Sequence, residues 1–178
     1  MVAFRQDEED RLDWQILRDG SISAYRNSIC LGEDVEWLRR NDYEVYPFDC
    51  STWTSESAMH DDLAQRLSFP AYYGSNFDAF NDCIKNDLPV PEAGGITLIL
   101  NRFDLFVAGA GATQWPSSKT GAQILLDILA GASRYYLLTG RRFMTLIQSD
   151  DPKLRMEKLG CSHLSWNRRE WLNKSRGL

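Results

Sequence analysis

Several features of secreted, membrane-embedded or metal-binding chains are missing from this sequence. No stretch of its 178 residues approaches the roughly 18 consecutive apolar residues that a membrane helix needs. Its start carries Asp7-Glu8-Glu9-Asp10 where a secretory leader would carry positive charge, so a soluble cytoplasmic chain is expected. Cysteine is scarce: Cys30, Cys50, Cys83 and Cys161 lie far apart with no Cys-x-x-Cys pair, which excludes an evident disulfide framework or zinc site. Free, mostly buried thiols are the expected state. The two histidines, His60 and His163, fit no metal-ligand or nucleophile spacing, and no metal or cofactor is expected. Positive charge is also short, with 20 Lys and Arg against 25 Asp and Glu. That balance argues against direct binding of nucleic-acid backbones, whose affinity comes from cations displacing counterions.

What is present suffices for one domain with extensions, since 43% hydrophobic and 12% aromatic residues can bury a substantial core. Apolar positions on either side of Asp19-Gly20 predict a β-hairpin over Trp14 to Tyr25. Val35, Trp37 and Leu38 among charged neighbours predict a short helix ending near Asn41, and Tyr43 to Phe48 reads as an edge strand because of Pro47. Met59, Leu63 and Leu67 mark a helix from Ser55, and Phe77, Phe80 and Ile84 a second one with Ser75 as its expected N-cap. Ile96 to Leu100 and Phe143 to Gln148 read as strands covered on both faces, with a helix from Ile124 to Ala132 between them. Residues 134–138 fit helix or strand, and Asn101 to Lys119, interrupted by Gly109, Gly111 and Pro116, reads as a loop. The pattern predicts an α/β fold: a small three-stranded parallel sheet flanked by helices, with an added N-terminal hairpin and a C-terminal extension.

Candidate chemistry concentrates on the second helix. Asp78 and Asp82, four residues apart, point outward together, opposite the Phe77/Phe80/Ile84 stripe and beside Asn81, Lys85 and Asn86. Like charges at this spacing cost a helix a few tenths of a kcal/mol, so helix stability does not account for the pair, although an acid in the first turn suits the helix dipole. Tyr72-Tyr73-Gly74 places two aromatics at the helix entrance, one of them expected to pack on Phe69 and Phe80.

The segment Phe69-Pro70-x-Tyr72-Tyr73-Gly74-x-Asn76-x-Asp78-Ala79-x-x-Asp82-Cys83, together with Ser57-x-x-His60 and Leu63 to Leu67 upstream, resembles the barstar-like family of intracellular ribonuclease inhibitors. The resemblance covers about Tyr43 to Ser149. It implies a partner-binding face made of Tyr72, Gly74, Asn76, Asp78, Asn81, Asp82 and Asn86, with Asp82 as the central anchor among the basic residues of a ribonuclease or nuclease-like toxin. On this reading residues 1–42 form an N-terminal extension, 43–150 the barstar-like domain and 151–178 a tail. Two departures point to a target other than barnase: Asn81 stands where the family has a Trp between its aspartates, and Gly131 where it has an acidic residue, with Asp127 one turn earlier.

The tail has its own character, with seven Lys or Arg against three acids, a net of +4 that leaves −9 for the rest. Trp166 and Trp171 are expected to dock it onto the domain, the rival being an aromatic and basic nucleic-acid contact. Two other function classes compete with inhibition. One is an acid/base hydrolase using Asp78 and Asp82, which helical neighbours disfavour because they project side by side instead of flanking a bond. The other is a regulatory binding module that kept the scaffold and lost inhibition.

Overall fold

The computed structural model describes residues 3–91, 93–156, 159–160 and 163–178. They form six α-helices, α1 (Leu12–Arg18), α2 (Ser28–Arg40), α3 (Glu56–Arg66), α4 (Phe77–Asn86), α5 (Phe103–Ala108) and α6 (Gly121–Leu138). Five strands, β1 (Ile22–Tyr25), β2 (Tyr43–Asp49), β3 (Gly95–Asn101), β4 (Phe143–Gln148) and β5 (Ser165–Trp166), make one parallel sheet in the order β2-β3-β4-β1-β5. The class is α/β with a parallel sheet flanked by helices, as the alternation of strand and helix patterns requires. Among these residues no helix is long and apolar enough to cross a membrane.

The three expected strands are the β2-β3-β4 part of the sheet. β3 and β4 are apolar and buried along almost their whole length because helices cover both faces. Ile96, Leu98 and Leu100 turn to the side of α4 and α6, where Phe80, Ile84, Leu125 and Leu129 meet them. Ile99, Met144 and Leu146 turn to the other side, against Leu31, Val35 and Leu38 of α2. Each such side chain taken fully out of water contributes about 1.5–3 kcal/mol. β2 is an edge, as Pro47 demands.

The N-terminal hairpin does not form. Residues 12–18 are helical, burying Ile16 and Leu17, and β1 pairs in parallel with β4, Ala24 opposite Ile147. Asp19 is instead the helix C-cap and Gly20, at φ 122°, the positive-φ residue after it. The same dipeptide that suits a tight hairpin turn also ends a helix, and a central strand slot beside β4 buries β1 on both faces where a two-stranded hairpin would not. The sheet thereby gains β1 and β5 beyond the expected three strands. Asn101 to Lys119 is not a plain loop either: Phe103 and Phe106 are buried on α5, which starts from Arg102 in the left-handed region and ends at Gly109. Residues 134–138 continue α6, and the Tyr136 hydroxyl donates toward the Ile84 and Leu88 carbonyls at 2.9 and 3.1 Å, fastening α6 to the end of α4.

The tail is anchored by charge more than by tryptophan. Glu170, 3% exposed, accepts from the backbone N–H groups of Arg26 and Asn27 at the start of α2 and from the Asn167 amide. Arg176 is buried, donates to the carbonyls of Glu170, Trp171 and Pro152, and lies 4.7 Å from the Trp166 ring. Trp166 is half-buried, but Trp171 is 70% exposed, so the expectation that both tryptophans dock fails for Trp171. Cys50 and Cys83 are buried and Cys30 half-buried, all free; Cys161 lies outside the described residues.

Candidate functional site

The α4 surface is built from a capped amphipathic helix. Asn76, in extended conformation, accepts the Ala79 N–H on its side-chain oxygen at 2.9 Å and is the N-cap; Ser75, the expected cap, sits one residue early at φ 47°. Phe77, Phe80, Cys83 and Ile84 are buried, which fixes the rotation of the helix. Asp78, Asp82 and Asn86 are therefore exposed on the opposite side, with Asn81 and Lys85 half-buried between them. The Lys85 ammonium donates to the Asn81 side-chain oxygen at 2.5 Å. Neither Asp78 nor Asp82 makes a hydrogen bond or ion pair with a described residue.

The loop before the helix lies along it. Tyr72 is 72% exposed, and its hydroxyl donates to Asp87, the C-cap residue, at 2.7 Å. That hydrogen bond to a carboxylate holds the phenol in its protonated form and pushes its pKa up to about 12. Tyr73 turns inward, its ring 5.0 Å from Phe69 and its hydroxyl against the Nδ1 of His60, as expected for one of the two tyrosines. His60 is fully buried and burial pushes its pKa down to about 4. Gly74 is exposed, and a Cβ there would meet only the Asn76 amide at 3.2 Å and the Ala79 methyl at 3.6 Å.

Tyr72, Gly74, Asn76, Asp78, Asn81, Asp82 and Asn86 thus share one surface, in an arrangement about 15 Å long set by the ten residues of α4. Two further residues belong to it that sequence reasoning missed. Asp87, the C-cap residue five positions past Asp82, adds a third exposed carboxylate and ties down Tyr72. Trp115, in the Gly- and Ser-rich stretch before α6, packs edge-on against Phe77 with ring centres 5.6 Å apart. Its bulk in an otherwise small-residue segment was the available signal.

On α6, Gly131 is half-exposed, and a Cβ built there meets nothing within 4 Å. Asp127 does not replace the missing acid, because its carboxylate accepts from Lys119 at 2.8 Å and from the Gly160 backbone N–H. Among the described residues no group of His, Cys, Asp and Glu is arranged to hold a metal ion. The surface offers carboxylates to a cationic partner, with aromatic residues at both ends.

Two comparisons with known proteins identify relatives of this chain. A Bacillus subtilis (strain 168) protein named "Putative ribonuclease inhibitor YrdF" is 44% identical over 46 residues, which are 26% of this chain and 46% of that protein. The chain therefore matches less than half the length of that relative. A family model described as Barstar (barnase inhibitor) matches residues 43–148, from the start of β2 through the acidic helix to the end of β4. More than half of the chain lies within that match, and it belongs to the Barstar family.

Proposed function

We propose that the chain inhibits a basic ribonuclease or nuclease-like toxin inside the cell by seating the α4 face in the enzyme's active-site cleft. Residues 43–150 are the binding unit on this reading. The observation that carries it is the pair Asp78 and Asp82, solvent-facing, one helical turn apart and without a partner among the described residues. Two unpaired carboxylates at this spacing weaken a free helix slightly. In a cleft that otherwise holds phosphate they meet cations away from bulk water, where opposite charges attract more strongly. Tyr72 and Trp115 add apolar area at the two ends of the helix. The name of the Bacillus subtilis relative supports the same reading.

Asn81 is tethered to Lys85 and Gly131 leaves open space, so two positions are less bulky or less charged than the family resemblance leads one to expect. The target's surface opposite them is accordingly different from that of barnase. The test is titration of the protein into a panel of basic microbial ribonucleases and nuclease-toxin domains, barnase included, while RNA cleavage is followed. Stoichiometric loss of cleavage for at least one enzyme is expected, with no turnover by the protein alone. Absence of inhibition across the panel, together with a non-nuclease partner held by the α4 face, would replace inhibition by a regulatory binding role.

A further inference from the structure

The α4 surface changes sign at its C-terminal end. Asn86, the last residue of the helix and part of the candidate face, also borders a groove of about 370 Å³ between the ends of α4 and α6. Lys85, Tyr135 and Arg141 line the same groove, together with the buried Leu88 and Tyr136. Lys85 and Arg141 are half-buried, and Tyr135 is 42% exposed. Two cations thus lie partly out of water beside a surface whose other charges are the carboxylates of Asp78, Asp82 and Asp87.

Basic residues near a helix C-terminus commonly serve the terminal carbonyls. These two do not. Lys85 reaches back to the Asn81 side-chain oxygen and forms no ion pair with Asp82, three residues before it. The Arg141 side chain makes no hydrogen bond or ion pair with a described residue, although its charge is felt by the Tyr136 phenol. Burial and the neighbouring Tyr135 push that phenol up to about 12, and Arg141 opposes the shift more strongly than Asp87 adds to it. The carbonyls of Ile84, Lys85 and Leu88 already have the Tyr136 hydroxyl within 3.2 Å. What remains for a ligand is a set of donors: the Lys85 ammonium, the Arg141 guanidinium, the Asn86 amide and the Tyr135 hydroxyl.

We propose that this groove is a carboxylate subsite that receives an acidic side chain of the same nuclease whose basic cleft meets Asp78 and Asp82. The inference rests on the proposed inhibitory role and adds a condition on the target: an acid on the rim of its cleft, opposite the Asn86 end of α4. Lys85 has two further N–H donors beyond its bond to Asn81, and the planar Arg141 guanidinium matches both oxygens of a carboxylate. Hydrogen bonds between ionised partners are roughly twice as strong as neutral ones. A nucleic-acid strand fits less well, because its repeated phosphates would run past Asp82 and Asp87. A basic nuclease lacking the rim acid would set its own cations against Lys85 and Arg141, so the groove discriminates among targets.

The test uses the full chain and two probes. In NMR titrations at constant ionic strength, a capped Gly-Glu-Gly peptide should shift the Asn86, Tyr135 and Arg141 amide signals saturably, and a capped Gly-Lys-Gly peptide should not. Arg141→Gln and Lys85→Gln should each abolish saturation while keeping the wild-type circular dichroism, and inorganic phosphate should bind no more tightly than the Glu peptide. The second probe is the nuclease identified by the inhibition panel. Arg141→Glu makes the inhibitor more acidic, so steering alone would tighten its hold on a basic enzyme, whereas loss of the subsite should weaken it at least about tenfold. Equal or tighter binding of Arg141→Glu, beside weakened binding of Asp82→Ala, would overturn the subsite and leave inhibition by α4 standing. No saturable shift with the Glu peptide, or tighter binding of phosphate, would overturn it as well. A panel with no inhibited enzyme would overturn the nuclease as the partner, while the peptide titration still reads the groove by itself.

Discussion

The Tyr72 hydroxyl donates a 2.7 Å hydrogen bond to the Asp87 carboxylate, so the loop that leads into α4 is fastened to the far end of the same helix. The carboxylate stabilises the protonated phenol, and the Tyr72 pKa is pushed up to about 12. Asp87→Ala removes that acceptor and should return Tyr72 toward the ordinary tyrosine value of about 10. A pH titration of the tyrosine ring resonances checks this; an unchanged Tyr72 titration in the variant would show that the loop is not held this way.

His60 makes stability depend on pH. Its folded-state pKa is lowered from the ordinary 6.5 to about 4 by burial, with one nitrogen against Tyr73 and the other without a hydrogen bond. Below pH 6.5 the unfolded chain gains a proton that the folded chain refuses, so His60 lowers stability progressively between pH 6.5 and 4 and no further below that. The loss attributable to it is about 3 kcal/mol. Urea unfolding across this range should show a shallower pH dependence for His60→Gln than for wild type. Parallel curves would contradict the assignment.

Glu170 and Trp171 are neighbours with opposite expected effects. Glu170→Ala leaves two backbone N–H groups of the α2 entrance without their acceptor and should cost about 2–4 kcal/mol in denaturant unfolding. Trp171→Ala removes a side chain that is 70% exposed and should shift the midpoint little. The reverse order would mean that the tail is held by its tryptophan after all.

Much of this molecule was legible in its sequence where a pattern had one physical solution. β3 and β4 are apolar runs that only a doubly covered strand explains, and α4 shows its buried stripe and its acidic face in ten residues. The N-terminal region was illegible because Asp19-Gly20 serves a hairpin turn and a helix end equally well, and the choice is made by β4, more than 100 residues away. The Ser75/Asn76 ambiguity is of the same kind: both residues can cap, and only backbone geometry separates them. Trp171 is illegible because aromatic content alone does not say which ring is covered: Arg176 lies over the Trp166 ring but meets Trp171 only at its backbone carbonyl, and the Trp171 side chain stays 70% exposed.

Gly131 gives a simpler expectation. It sits inside α6, away from the positive-φ glycines, with open space where a Cβ would be. Gly131→Ala should stabilise the protein by about 0.5–1 kcal/mol through helix propensity alone. Thermal unfolding of the variant measures it, and destabilisation would mean that this surface is less open than described.

The most direct measurement is calorimetric titration of wild type and Asp82→Ala into the nuclease that the inhibition panel identifies. Asp82 is exposed in the free protein, so the variant should fold with unchanged stability. Removing one partner of a charge pair that becomes buried in the complex leaves the other charge uncompensated, and binding should weaken by about 3–5 kcal/mol. Added salt should slow association of the wild type more than it speeds dissociation, because steering acts through solvent and the seated pair does not. Equal affinity of wild type and Asp82→Ala for the nuclease would contradict the assignment of α4 as the inhibitory face.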